Sequence, residues 1–219
     1  MIRCPALLVC LVVGLTFPAP APAPAPARQA DYLSRLEADI VREHNLVREN
    51  PGQYATYLEA LREFFNGRLL ELPGEIALRT EEGVRAVDEA IRFLRRAQSI
   101  GPVTPSRGMS RGARDHVRDS GPRGRTGHVG TDGSHPWDRV NRYGSWLVTM
   151  GENIAYGRYD PGDARRVVVQ LIIDDGVRSR GHRDNIFDLE LHVIGVSCGD
   201  HKTFGSICVM VYAGGYEER

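Results

Sequence analysis

Two histidines and two acids in the second half of the chain have side chains that could bind a metal ion together. They are His128, Glu152, Asp174 and His182. Two imidazoles and two carboxylates suit Zn²⁺, or another divalent ion with open positions for water. Each of the four lies in a polar segment of its own, so the fold must bring them together. On that condition the sequence predicts a divalent-cation site, and zinc is the metal that best suits these ligands.

Asp174 also conflicts with helix electrostatics. It and Asp175 follow an apolar helical segment, and the C-terminus of a helix already presents negative charge. Acids there cost a few tenths to about 1 kcal/mol each unless a cation lies nearby. That cation could be a bound metal, His182 or one of the arginines that follow, which are Arg178, Arg180 and Arg183. The sequence leaves these alternatives open, but the conflict marks 174–182 as a candidate functional segment.

The elements that must position these residues are mainly helices. Apolar spacing and capping residues predict six of them, at 32–49, after Asn50, after Thr80, at 106–119, at about 136–143 and at 164–174. The rest of 121–151 is predicted to be loop.

The C-terminal stretch changes to the spacing of strands. Apolar residues in 193–196 and 207–212 predict two strands joined by a turn. A pairing centred on that turn places Cys198 opposite Cys208, and side chains that face each other on adjacent strands are within disulfide reach. We therefore expect an α+β fold in which helices pack against a small antiparallel sheet.

Residues 1–27 have the features of a signal peptide. Arg3 gives a positive start, and the apolar run 6–17 is too short to span a bilayer. We therefore expect a secreted protein, extracellular or periplasmic, with no stable transmembrane anchor. Cleavage would leave only Cys198 and Cys208, and an even pair in an oxidising compartment favours a disulfide.

Composition argues against two classes of partner. The chain has 219 residues, of which 28 are basic and 28 acidic. Balanced charge argues against a protein that binds nucleic acid or coats an anionic membrane. The mature chain, 28–219, is long enough for one folded domain. We expect a single domain and a monomer.

Four motifs resemble those of the CAP superfamily, named for cysteine-rich secretory proteins, antigen 5 and pathogenesis-related proteins. They are Gly127-His128, Gly151-Glu152-Asn153-Ile154, Gly181-His182-Arg183 and, in the first predicted helix, His44-Asn45-Leu46-Val47-Arg48. The resemblance implies an α-β-α sandwich of the CAP/SCP-like type, with a central cleft. It also implies a cleft tetrad at His128, Glu152, Asp174 and His182.

The chain departs from many members of that superfamily. Asp174 stands where many members have Glu, and Asp175 is a credible substitute for it. The segment 51–105 is longer than the usual connection, so we predict a helical insertion there. The residues that follow the second cleft histidine, 183–185, lack the aromatic and Gln residues of many eukaryotic members. The last two departures resemble the bacterial secreted, SCP-like branch.

Three functions are compatible with these observations. The first, which the resemblance favours, is a secreted binding module whose metal-dependent cleft captures a small ligand or envelope component, such as a lipid, peptide or glycan. The second is a metal-dependent hydrolase of extracellular or envelope polymers, in which Glu152 or Asp174 acts as general base on a metal-bound water. The third is a scaffold for protein contacts. Resemblance in fold does not establish an activity, so whether the protein is an enzyme stays open.

Overall fold

The structure is a computed structural model that describes residues 30–219. Its helices are α1 (Arg35–Glu49), α2 (Pro51–Arg62), α3 (Val84–Arg96), α4 (Arg107–Arg123), α5 (Pro136–Asn141), α6 (Ala164–Ile173) and α7 (Gly181–Phe187). Its strands are β1 (Phe65–Asn66), β2 (Leu69–Leu70), β3 (Leu78–Arg79), β4 (Thr104–Pro105), β5 (Gly144–Gly157), β6 (Val193–His201) and β7 (Gly205–Glu218). Of these helices, none has both the length and the apolar content to cross a bilayer. The predicted signal peptide, 1–27, lies outside the described residues.

A four-stranded sheet forms the centre of the fold. Its strand order is β4-β6-β7-β5. Strand β7 pairs antiparallel with β5 and β6, whereas β4 runs parallel to β6. The register of β6 and β7 places Cys198 opposite Cys208, and a disulfide joins the two residues. The predicted hairpin, its register and its disulfide are therefore confirmed.

Helices cover both faces of this sheet. On one face, α1, α2, α3 and α6 pack around a core that includes Ile40, Leu58 and Ile172. On the other face, α4 and α5 pack around a smaller core that includes Met109 and Val209. Each fully buried side chain of this kind stabilises the fold by roughly 1.5–3 kcal/mol. The three layers confirm the expected α+β class and the α-β-α sandwich.

Side-chain caps fix the start of two helices. Before α1, the Ser34 hydroxyl accepts a hydrogen bond from the Glu37 N–H at 3.3 Å, and the Glu37 carboxylate accepts one from the Ser34 N–H at 2.7 Å. This reciprocal capping box ties the first turn to its cap. Before α4, the Ser106 hydroxyl accepts from the Met109 N–H at 3.1 Å. Helix α4 begins where the sequence predicts and continues beyond the predicted end at 119.

The predicted cap of α3 is wrong. The Thr80 hydroxyl donates to the Arg68 carbonyl at 2.8 Å instead, in the turn that precedes the helix. Helix α3 begins after Gly83, whose φ of +70° disfavours residues with a side chain. Between 51 and 105 the chain forms α2, the small sheet β1-β2-β3, α3 and β4. That this segment is an insertion stays a prediction.

The largest error of the sequence prediction concerns β5, which occupies part of the predicted loop. This strand lies at one edge of the sheet, and its register shifts between Leu147 and Met150. Val148, inside the shift, has a φ of +70° and is 77% exposed. The irregularity removes the two-residue alternation by which a strand is recognised. Glu152 and Asn153, which follow the irregularity, are both polar, so they weaken the strand pattern in the sequence further.

Candidate functional site

His128 and Glu152 form one half of the predicted tetrad. The loop after α4 turns at Gly127, whose φ is +94°, a conformation that glycine adopts without strain. The next residue, His128, brings its Nδ1 to 2.9 Å from Glu152 Oε1. The Glu152 side chain is 2% exposed, whereas that of His128 is 48% exposed. A buried carboxylate thus holds an imidazole that stays half exposed.

Arg139 balances the charge of Glu152 and also holds the loop that carries His128. Its buried guanidinium donates from Nη2 to Glu152 Oε2 at 2.8 Å. Its Nη1 donates to the carbonyls of His128 and Ser134 at 3.0 and 2.9 Å. Because an unpaired buried carboxylate is costly, the fold needs this arginine to keep Glu152 below His128. Sequence analysis missed Arg139, since one arginine in a six-residue helix carries no sign of its burial.

Asp174 and His182 form the other half. Asp174 ends α6 in a left-handed conformation with φ +56°, which Asp tolerates better than most residues. Its Oδ1 lies 2.6 Å from His182 Nδ1, and its Oδ2 accepts from the His182 backbone N–H at 3.0 Å. The Asp174 side chain is buried, and that of His182 is 24% exposed. The second half therefore has the same arrangement as the first, a buried carboxylate bound to Nδ1 of a more exposed imidazole.

Asp175 lies outside this site. Its carboxylate accepts from the backbone N–H groups of Glu81 and Glu82 at 2.6 and 2.8 Å. Arg180 supplies a cation at the end of α6, where Nη1 donates to the Asp174 carbonyl at 2.7 Å. Between the two adjacent acids, Asp174 is therefore the one that meets a histidine.

The two halves approach the same segment of β5 from opposite faces of the sheet. Glu152 points towards α5, where it meets Arg139. The next residue, Asn153, points to the other face, where its Nδ2 donates to the His182 carbonyl at 2.8 Å. Asn185 of α7 donates in turn to Asn153 Oδ1 at 2.8 Å. Strand β5 lies at an edge of the sheet, so the two halves share one site only if the outer layers meet around that edge.

A buried chain of hydrogen bonds anchors Asn153. The Tyr212 hydroxyl accepts from Asn153 Nδ2 at 3.2 Å and lies 2.7 Å from His44 Nε2. His44 Nδ1 lies 2.8 Å from the Ile40 carbonyl, so Nδ1 donates and Nε2 accepts. Burial lowers the pKa of His44 to about 4, so this imidazole is neutral near pH 7. These hydrogen bonds link α1, through Tyr212 and Asn153, to the backbone carbonyl of His182.

Arg48 holds the far end of α7 from the same helix, α1. Its buried guanidinium donates to the carbonyls of Ile186 at 2.8 Å, Leu191 at 2.9 Å and Gly101 at 2.7 Å. These contacts satisfy a charge that would otherwise be costly to bury. Both ends of the motif that begins at His44 therefore position the helix that carries His182.

Three other histidines differ in burial. His201 is buried, with Nε2 3.0 Å from the Arg125 carbonyl. His116 is also buried, and its Nε2 lies 2.8 Å from the Gly127 carbonyl, beside the loop that carries His128. His192 is exposed.

Each imidazole of the predicted tetrad meets its carboxylate through Nδ1, at 2.9 Å in His128 and 2.6 Å in His182. A neutral ring that donates from Nδ1 to a carboxylate has its lone pair on Nε2. Metal-binding histidines commonly donate their other ring N–H to a carboxylate in this way. Within residues 30–219, no three His, Cys, Asp or Glu side chains converge as a ready-made metal cluster. Each carboxylate of the predicted tetrad is therefore bound to the Nδ1 side of an imidazole.

Comparisons with known proteins found similar solved structures and a matching family model. An outer surface protein from Borrelia burgdorferi is 16% identical, with a TM-score of 0.43, over 55% of this chain and 80% of its own. An extracellular protein containing an SCP domain from Bacillus anthracis str. Ames is 18% identical, with a TM-score of 0.41, over 59% of this chain and 39% of its own. No curated protein matches the chain. A model of CAP, the cysteine-rich secretory protein family, matches residues 41–212, and the chain belongs to that family.

Proposed function

We propose that this protein is exported and uses its cleft to bind a divalent cation and, with it, a small ligand such as a lipid, peptide or glycan. The observation that carries the proposal is the pairing of each cleft imidazole with a buried carboxylate through Nδ1. Export is supported by the disulfide between Cys198 and Cys208, since disulfides persist mainly in oxidising compartments.

His128 and His182 would be the cation ligands, each through Nε2. Glu152 and Asp174 would orient the two rings and raise their basicity, as carboxylates behind metal-binding histidines do. Imidazole ligands suit zinc among the common divalent ions. When bound, the cation would supply positive charge and open positions for a polar group of the ligand. Both imidazoles are partly exposed, which gives the cation a route into the cleft.

The contacts favour capture of a ligand over hydrolysis. A general base needs a carboxylate oxygen that can reach the attacking water. In Glu152, Oε1 faces His128 and Oε2 accepts from Arg139. In Asp174, both oxygens bind His182. Every oxygen of the two candidate bases thus already has a partner within the protein, and both side chains are 2% exposed, which favours a positioning role over that of a general base.

Zinc titration of the chelator-treated protein tests the proposal. By calorimetry, the wild type should bind one Zn²⁺, His128→Ala and His182→Ala should bind it more weakly, and the double variant should not bind it. His192→Ala is a matched control, because His192 is exposed and lies outside the cleft. Equal zinc binding by the wild type and the double variant would refute the cation site.

Ligand capture is tested with the same proteins. Panels of fatty acids, oligopeptides and oligosaccharides should contain a ligand that binds saturably with Zn²⁺ present and more weakly without it. The double variant should lose that difference. Turnover of any of these compounds that Glu152→Gln abolishes would instead support the hydrolase.

A further inference from the structure

Helix α7, which carries His182, depends on other elements for its position. It has seven residues, fewer than the roughly 12–15 at which an isolated helix becomes even marginally stable. Arg180 precedes it in a left-handed conformation, with φ +57°, and makes no side-chain cap. Contacts from outside α7 must therefore fix the place of His182.

Arg183, the neighbour of His182, ties α7 to α3. Its guanidinium is 2% exposed, and its Nη1 and Nη2 each donate at 2.7 Å to one oxygen of Glu89. This is the bidentate geometry in which Arg and carboxylate bind most strongly. Its Nε also donates to the Ile172 carbonyl in α6 at 2.6 Å. Because a buried guanidinium needs an anion, Glu89 helps to hold α7 against α3.

Glu82, just before α3, holds the loop between Asp174 and His182. Its two oxygens accept from Arg180 Nη1 and Nη2 at 2.6 and 2.8 Å, and Oε1 also accepts from the Gly176 N–H at 3.0 Å. Arg180 Nη1 donates as well to the Asp174 carbonyl. The hydrogen bonds from Arg180 lower the pKa of Glu82 to about 2, so the pair stays charged at neutral pH. The Glu82 carboxylate thus holds the loop between Asp174 and His182 in place.

We propose that Glu82 and Glu89 are positioning residues for the His182 half of the cation site. Neither makes a hydrogen bond to His182 or Asp174. Glu89 acts through Arg183, and Glu82 acts through Arg180 and the Gly176 N–H. Both lie within 51–105, the segment predicted to be an insertion, which gives that segment a role in the cleft. The inference rests on the proposed function, in which His182 binds the cation.

Glu89→Gln and Glu82→Gln in the full chain test this role. The control is Asp88→Asn, because Asp88 is the neighbour of Glu89 on α3 but pairs with the half-exposed Arg62. The ¹⁵N shifts of the His182 and His128 imidazoles are measured at one pH without metal, and Zn²⁺ affinity is measured by calorimetry. Both Glu variants should change the His182 signals, leave those of His128 unchanged and weaken zinc binding about tenfold. The control should change neither measurement.

Wild-type His182 signals in both Glu variants would overturn the positioning role. Glu82→Gln keeps the pair between Arg183 and Glu89, so it serves if Glu89→Gln does not fold. A wild type that binds no Zn²⁺ would refute the proposed function alone, because the metal-free His182 signals still decide the positioning role.

Discussion

Arg139→Met tests whether the His128 half of the site depends on a buried ion pair. The substitution keeps much of the side-chain volume but removes the guanidinium that lies 2.8 Å from Glu152 Oε2. Both side chains are 2% exposed, so water does not screen the pair. Loss of one partner of a buried ion pair costs about 3–5 kcal/mol, because the remaining charge is left buried. We therefore expect the free energy of unfolding to fall by about 4 kcal/mol.

The assay is urea unfolding followed by circular dichroism, in a double-mutant cycle with Glu152→Gln. Once Arg139 is gone, removal of the Glu152 charge should cost less than in the wild type, so the two losses should fall short of additivity by at least about 1 kcal/mol. The control is Arg142→Met, because Arg142 is 42% exposed and makes its ion pairs at the surface. That control should lose less than about 1 kcal/mol. If Arg139→Met lowered the free energy of unfolding by no more than Arg142→Met does, the buried ion pair would not stabilise the fold. Additive losses for Arg139→Met and Glu152→Gln would likewise refute a coupling between the two residues.

Three other perturbations test separate features of the fold. Burial lowers the pKa of His44 from 6.5 to about 4, so the unfolded chain takes up the proton first, and stability should fall by about 3 kcal/mol as pH drops through this range. His44→Gln should remove that part of the pH dependence of urea unfolding, and an unchanged slope would contradict it. Cys198→Ser with Cys208→Ser should lower the free energy of unfolding by about 2–3 kcal/mol. Mass measurement of the wild type before and after reduction should show a gain of two hydrogens, and no gain would mean free thiols. Val148→Gly should raise stability by about 1 kcal/mol, because a β-branched residue is strained at φ +70°; a lower midpoint of thermal unfolding would argue against strain there.

Sequence predicts best those features whose cause is local. Ser106 begins α4 because its hydroxyl meets an N–H three residues later, within the same turn. Cys198 and Cys208 face each other because one turn fixes the register of both strands. In both cases the interacting residues are neighbours along the chain, so spacing alone is informative.

The features that sequence could not predict depend on distant contacts. Strand β5 exists because β7 pairs with it over most of its length, despite a bulge and polar residues. Arg139 is buried because Glu152, on another element, needs a cation. The family motifs predict that His128 and His182 are cleft residues. They do not indicate that each ring is held through Nδ1 by its own carboxylate.

The irregularity in β5 has a consequence for contacts between molecules. A 14-residue strand at the border of a sheet offers a row of backbone donors and acceptors that could template pairing with a second copy of the chain. The register shift between Leu147 and Met150 interrupts that row, and Val148, at φ +70°, departs there from extended backbone. Further along, the Asn185 amide lies 3.5 Å from the Glu152 carbonyl and covers another part of the row. The unpaired border of β5 is thus divided into short runs, which disfavours pairing with the edge strand of a second molecule, while the strand still extends as far as Glu152 and Asn153.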